Sequence, residues 1–317
     1  MGTLVEAART VVSTCMKAGR GEEVLVVTDE PCRAVGVALW KEACESGCEA
    51  MLVEMTPRLT NGQEPPRPVA EAMRYAAVCL LVTSKSLSHT RARKAACEGG
   101  SRIASLPGIT VEMAERALIA DYDAIKEFTL KASRKIEGSR RVTLTSAAGT
   151  HLTLSIEGRP VMPDTGIYDA PGAFGNLPAG EVFVAPVEGT ANGVLVVDGS
   201  MAGIGLVDAP VRVEIEDGVA KSFTGGESAK RLESMILAAG HDARNVAELG
   251  IGTNGNARLS GNILEDEKVL GTVHVALGAN AGFGGKVQVA SHLDGIVLSP
   301  TLTIDGSTIM RDGHLLI

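Results

Sequence analysis

The sequence predicts an α/β protein in which an N-terminal parallel-sheet αβ domain is followed by a strand-rich α+β metal-binding domain. Three observations lead there. Helical spacing alternates with continuous apolar runs up to residue 137, which implies parallel strands covered on both faces. Beyond Gly138 the apolar period falls to two and turn residues multiply. Histidines and acids in strand-like settings then gather in the second part. A chain of 317 residues is long enough for two cores, and the change of period divides it into 1–137 and 138–317.

The elements follow in order. Leu4, Ala7, Ala8, Val11, Val12 and Cys15 stand at helical spacing over residues 3–18, and Gly19 and Gly21 break the pattern before the strand run Val24 to Val27. The cycle repeats as a helix from Cys32 to Glu45 and a strand from Ala50 to Glu54. A shorter helix around Val69 to Tyr75 leads to the strand Val78 to Val82. A stretch near Arg91 to Cys97 leads to Arg102 to Ser105. Ligands of parallel sheets bind beyond the carboxyl ends of strands, which puts Thr28, Asp29, Ser84 and His89 in view. No glycine-rich phosphate loop accompanies them, so nucleotide binding is not expected. One or two polar helices fill residues 110–137. A hairpin then pairs Val142 and Leu144 with Leu152, Leu154 and Ile156. Short strands follow, interrupted by a helix from Ser228 to Ala239.

Composition narrows the function. A hydrophobic share of 45% with 21% charged residues fits a folded soluble protein, and a net charge of −8 argues against nucleic acid as a partner. No apolar run reaches the roughly 20 residues of a membrane span, and no signal-peptide pattern opens the chain, so a cytoplasmic location is expected. The six cysteines fall among the first hundred residues without a paired metal spacing; Cys44 and Cys48, one helical turn apart, read best as small core residues.

The chemistry concentrates between Glu265 and Asp294. His274 lies in the alternating run VHVALG, and the run from Val287 to His292 alternates similarly, so both are expected to be strands. His292 and Asp294, two apart, would then share a face. Imidazole and carboxylate suit zinc, iron, cobalt or manganese. Glu181, opening EVFVAP, and Glu248, in VAELGIGTN, are acids among small apolar residues, where a charge needs a partner or a metal. The bland readings are a satisfied core histidine for His274, a turn role for Asp294, backbone bonding for Glu181 and a pair with Arg258 for Glu248.

The ordered pieces GEVFVAP, AELGIGTN, EDEK before GTVHVALG, and SHLDG resemble the metalloaminopeptidase family that includes aminopeptidases T and S. The resemblance covers mainly residues 138–317. It implies two divalent ions, zinc or cobalt with iron or manganese as other candidates, held by Glu181, Glu248, His274, His292 and Asp294. It also implies a homodimer and Glu265 or Glu267 as the catalytic general base. The expected activity is that of a hydrolase, a metalloprotease releasing N-terminal residues from small peptides through a metal-activated water. Two departures stand out: family members carry a tyrosine soon after the first histidine, absent from HVALGANAGFGG, and they are longer. The same fold resembles the ferrous ring-cleaving dioxygenases of dihydroxypyridine degradation, whose mononuclear site His274, His292 and Asp294 could supply. The retention of Glu181 and Glu248 favours the hydrolase over that alternative.

Overall fold

The computed structural model describes residues 2–317, which divide into two units. The first comprises the chain up to Lys126 together with Thr165–Ala179; the second comprises Glu127–Asp164 and Gly180–Ile317. Among the described residues no helix is long and apolar enough to cross a membrane.

In the first unit the strands Glu23–Thr28, Glu49–Glu54, Val78–Val82 and Arg102–Ser105 pair in parallel, in the order second, first, third, fourth. Val24 to Val27 and Val78 to Val82 are fully buried, as continuous apolar strands covered on both faces must be. The helices Arg33–Glu45, Arg67–Tyr75 and Arg91–Glu98 are the crossovers. Gly36 brings the first of these against the sheet, since a methyl there would stand 2.7 Å from Thr28 Oγ1. Phe174–Asn176 adds a fifth parallel strand beside Arg102–Ser105. This three-residue strand has too few residues to show a period, and the sequence pattern gave no sign of it.

The second unit holds two antiparallel sheets, of eight and seven strands. The hairpin Arg141–Thr145 and His151–Ser155 belongs to the larger. In the smaller, Val161–Asp164, Glu181–Val184, Val246–Gly252, Val273–Gly278 and His292–Val297 pair in succession. One apolar cluster joins Leu144, Leu152 and Leu154 of the larger sheet to Val182, Val184, Leu249, Ile251, Val273, Val275 and Val297 of the smaller. These positions alternate along their strands, so the intervening residues of the smaller sheet point to its other face. Val246 joins this core because the register slips by one residue between Val246 and Glu248, a bulge that returns Glu248 to the opposite face.

The strand expected at Val287 to Ser291 does not form. Its amide groups are taken locally: Val287 N donates to Asn280 Oδ1, Lys286 N donates to Glu188, and Val287 O accepts from Asn280 N. Pairing begins only at His292.

Candidate metal centre

The site lies on the face of the seven-stranded sheet opposite the apolar core. Cross-strand register sets Glu181 opposite Gly252, His274 opposite Gly250, Ala276 between Glu248 and Asp294, and His292 opposite Gly278. Large polar side chains thus alternate with glycine or alanine across the sheet, which gives them room. The need is sharpest at Gly250, where an added methyl would lie 1.9 Å from His274 Nε2. At Gly252 it would lie 2.1 Å from the carbonyl oxygen of Val269, so this glycine admits the backbone that follows Glu267 and Lys268.

Two groups of three donors result, Glu181 with Glu267 and His274, and Glu248 with His292 and Asp294. His274 Nε2 is 3.2 Å from Glu181 Oε2 and 3.2 Å from Glu248 Oε1; His292 Nε2 is 3.3 Å from Glu248 Oε2 and 3.4 Å from Asp294 Oδ1. Glu248 therefore reaches both imidazoles. His274 is 0% exposed whereas the His292 side chain retains 23%, so the site opens on the His292 side. There Phe283 meets His292 edge-to-face with centroids 5.8 Å apart, and meets Phe183 in the same manner at 5.5 Å. Its glycine-rich loop is anchored by Glu188, which accepts from Asn280 and Lys286 N and pairs with Arg159.

The run EDEK divides its labour. A single helical turn, Ile263–Asp266, is capped by the Asn262 side chain. Glu265 is buried, accepts from Arg258 N and lies in neither donor group. Asp266 is absorbed by Ser200, Ser260 and Gly261 N. Glu267 alone of the three acids joins the donors. Lys268, which the sequence did not single out, is fully buried, with Nζ 2.6 Å from Glu181 Oε1 and also donating to Glu267 Oε1. Its sequence signal was a lysine wedged between an acidic turn and a buried strand.

The electrostatics call for positive charge. Burial opposes ionisation of His274, yet hydrogen bonds and charge from Glu181 and Glu248 push it up to about 10. Burial likewise opposes His292, and Asp294 and Glu248 carry it well above the ordinary imidazole value. Burial raises Glu248, but the two histidines outweigh it and hold the carboxylate down at about 2. Glu267 goes the other way: burial and the charges of Glu181 and Asp294 raise it in spite of Lys268.

The donors fit a divalent cation. His292 Nδ1 is 2.8 Å from the carbonyl oxygen of Ala279, which can only accept, so Nδ1 carries a proton and Nε2 faces two carboxylates. Facing lone pairs repel unless a proton or a metal lies between them. Glu181 Oε2 and Asp294 Oδ1 are buried and each faces a histidine Nε2, at 3.2 and 3.4 Å, so that a proton or a cation belongs between them. The switch-point candidates of the first unit differ. Asp29 accepts from Ser84 N and Ser84 Oγ, Thr28 Oγ1 donates to Val82 O, and His89 is exposed.

Comparison with known proteins decides the family. The model of the 2,5-dihydroxypyridine 5,6-dioxygenase (NicX) family matches residues 3–317. The chain belongs to this family. A 2,5-dihydroxypyridine 5,6-dioxygenase of Pseudomonas putida is 24% identical over 254 residues, covering 74% of this chain and 70% of the relative. The solved structure of 2,5-dihydroxypyridine dioxygenase from Pseudomonas putida KT2440 superposes with a TM-score of 0.85 at 18% identity, covering 99% of this chain and 96% of the other. Wild-type AmpT from Thermus thermophilus superposes at 0.72, with 18% identity and 99% coverage of both chains. The fold is thus shared with both, and the family match overturns the expectation of a hydrolase, aminopeptidase or metalloprotease releasing residues from peptides. The reason the sequence misled is visible in the site. The retention of Glu181, which had favoured the hydrolase, has a second explanation, since its carboxylate accepts from the buried Lys268. Membership of this family makes the chain an enzyme of the dioxygenase kind, for which a divalent metal and a small-molecule substrate are consistent.

Proposed function

We propose that this chain cleaves the ring of a dihydroxylated pyridine with dioxygen, and that His274, His292 and Asp294, with Glu248 beside both imidazoles, hold a ferrous ion. The observation that carries the reading is the pair of imidazole nitrogens linked by Glu248, at 3.2 Å from His274 and 3.3 Å from His292, with Asp294 3.4 Å from His292, in a chain of the NicX family. Two histidines and a carboxylate are the ligand set of non-haem ferrous oxygenases. Iron, when bound, supplies the one-electron chemistry that lets dioxygen react with a closed-shell ring.

The protein's own part is binding, orientation and proton handling. Ala279 O fixes the His292 tautomer so that Nε2 faces inward. Phe283 and Phe183 form an aromatic wall on the open side, suited to a flat heteroaromatic ring. Glu267, whose proton affinity is raised by burial and by Glu181 and Asp294, is the group placed to take a proton from a ring hydroxyl.

An oxygen electrode tests this. Protein reconstituted anaerobically with ferrous iron should consume O₂ when 2,5-dihydroxypyridine is added, with matching loss of the ring absorbance, and a chelator should stop it. Iron-loaded protein that leaves both O₂ and ring untouched would overturn the reading.

A further inference from the structure

Two donor groups stand side by side in the site, yet they are not equivalent, because one already contains a positive charge. Lys268 is 0% exposed, and its Nζ bonds two of the three members of the first group, Glu181 at 2.6 Å and Glu267. No ammonium is bonded to the second group, Glu248 with His292 and Asp294. We propose that Lys268 is a built-in cation that takes up Glu181 and Glu267, so that the site holds one divalent ion, at His274, His292 and Asp294 beside Glu248, and excludes another. The inference rests on the reading of this site as a metal centre.

Three observations support it. Lysine is almost never fully buried without a partner, and here the partners are two carboxylates that would otherwise be metal ligands. The lysine is also held in place by its backbone: Lys268 N donates to Glu265 O, Lys268 O accepts from Asn254 N, and the neighbouring backbone fits only because residue 252 is glycine. Charge balance agrees. Glu181, Glu248, Glu267 and Asp294 are opposed by one ammonium, and a single divalent ion brings the group to within one charge of neutrality. A second ion would have to displace Nζ from Glu181 and Glu267 and leave the ammonium buried without a partner, which is costly.

The test is metal stoichiometry, read without reference to activity. Wild-type protein titrated with manganese(II) should bind about one ion per chain at the site, with the resonance spectrum of an isolated ion. Lys268→Met removes the charge at similar volume and should bind about two, with a spin-coupled spectrum, since the freed carboxylates regain their need for a cation. A wild type that binds a coupled pair overturns the inference, and so does a folded Lys268→Met protein that still binds one ion. A purely structural lysine would give that second result together with a lower melting temperature. If Lys268→Met does not fold, the wild-type titration still decides, one isolated ion supporting the inference and a coupled pair refuting it. A wild type that binds no manganese, zinc or iron refutes the metal-centre reading and this inference together. Failure of the variant alone leaves that reading standing.

Discussion

Asp29 and Asp294 are both buried carboxylates on sheets, and they differ in what their oxygens meet. Asp29, just past the end of a parallel strand, accepts from Ser84 N at 3.0 and 2.8 Å and from Ser84 Oγ at 2.6 Å. Asp294, within an antiparallel strand, has Oδ1 buried without a hydrogen bond and 3.4 Å from a histidine nitrogen whose ring is already protonated at its other end. Both charges cost solvation; the first is compensated by fixed N–H and O–H donors, the second only when a proton or a cation lies between it and His292. Burial of an acid therefore does not mark a functional site. Burial with acceptors that face an imidazole nitrogen points to one, because a proton or a cation must fill the gap.

The comparison breaks most visibly at Gly250. Gly250→Ala places a methyl into the His274 ring, so the imidazole must move and metal affinity should drop by more than about 100-fold, while the core on the opposite face is untouched. Calorimetric titration with manganese or iron reads this directly, and unchanged affinity would mean that His274 is not a ligand.

A smaller effect should separate the metal-free from the metal-loaded protein. His274 in the metal-free fold is raised from 6.5 to about 10, so the stability it contributes is complete below pH 6.5 and is lost as pH rises toward 10. Glu248 is lowered from 4.5 to about 2, so its contribution is present above pH 4.5 and fades as pH falls toward 2. Glu267, raised from 4.5 to about 8, contributes below pH 4.5 and loses that contribution as pH rises toward 8, so metal-free protein should melt highest near pH 4.5. Its melting temperature should decline on the alkaline side, with a slope of at most about 1.4 kcal/mol per pH unit for each proton. Metal-loaded protein, in which the ion replaces the proton, should hold its melting temperature over the alkaline window. Parallel alkaline curves for the two forms would contradict the idea that one cation position is filled by either.

The smallest effect is expected at the self-satisfied acid. Asp29→Ala leaves Ser84 N and Oγ without their acceptor and should destabilise by about 1–3 kcal/mol, with metal content unchanged. Loss of metal on this substitution would show that the two sites are not independent.

Much of this was legible in the linear chain, and for definite reasons. The parallel sheet showed itself because strands covered on both faces must be apolar throughout, as Val78 to Val82 are. The antiparallel site sheet showed itself by alternation, and the same alternation set Glu181, Glu248, His274, His292 and Asp294 on one face with small residues between them. Residue types alone thus pointed to one sheet face rich in imidazole and carboxylate.

What only the tertiary structure decided is which of these groups are already paired. Glu265 and Glu267 are two apart in one acidic run, yet one is spent on Arg258 N and the other enters the site, because a single helical turn capped by Asn262 sets their directions. Residues 287–291 alternate as a strand would, yet stay a loop whose start is held by side chains, Val287 N donating to Asn280 and the preceding Lys286 N to Glu188. Lys268 meets Glu181, 87 positions earlier in the chain, only because Gly252 admits its backbone. Local periodicity records which face a side chain takes. Compensation of a buried charge depends on contacts between distant segments, and these are fixed by register and close approach that no local pattern encodes.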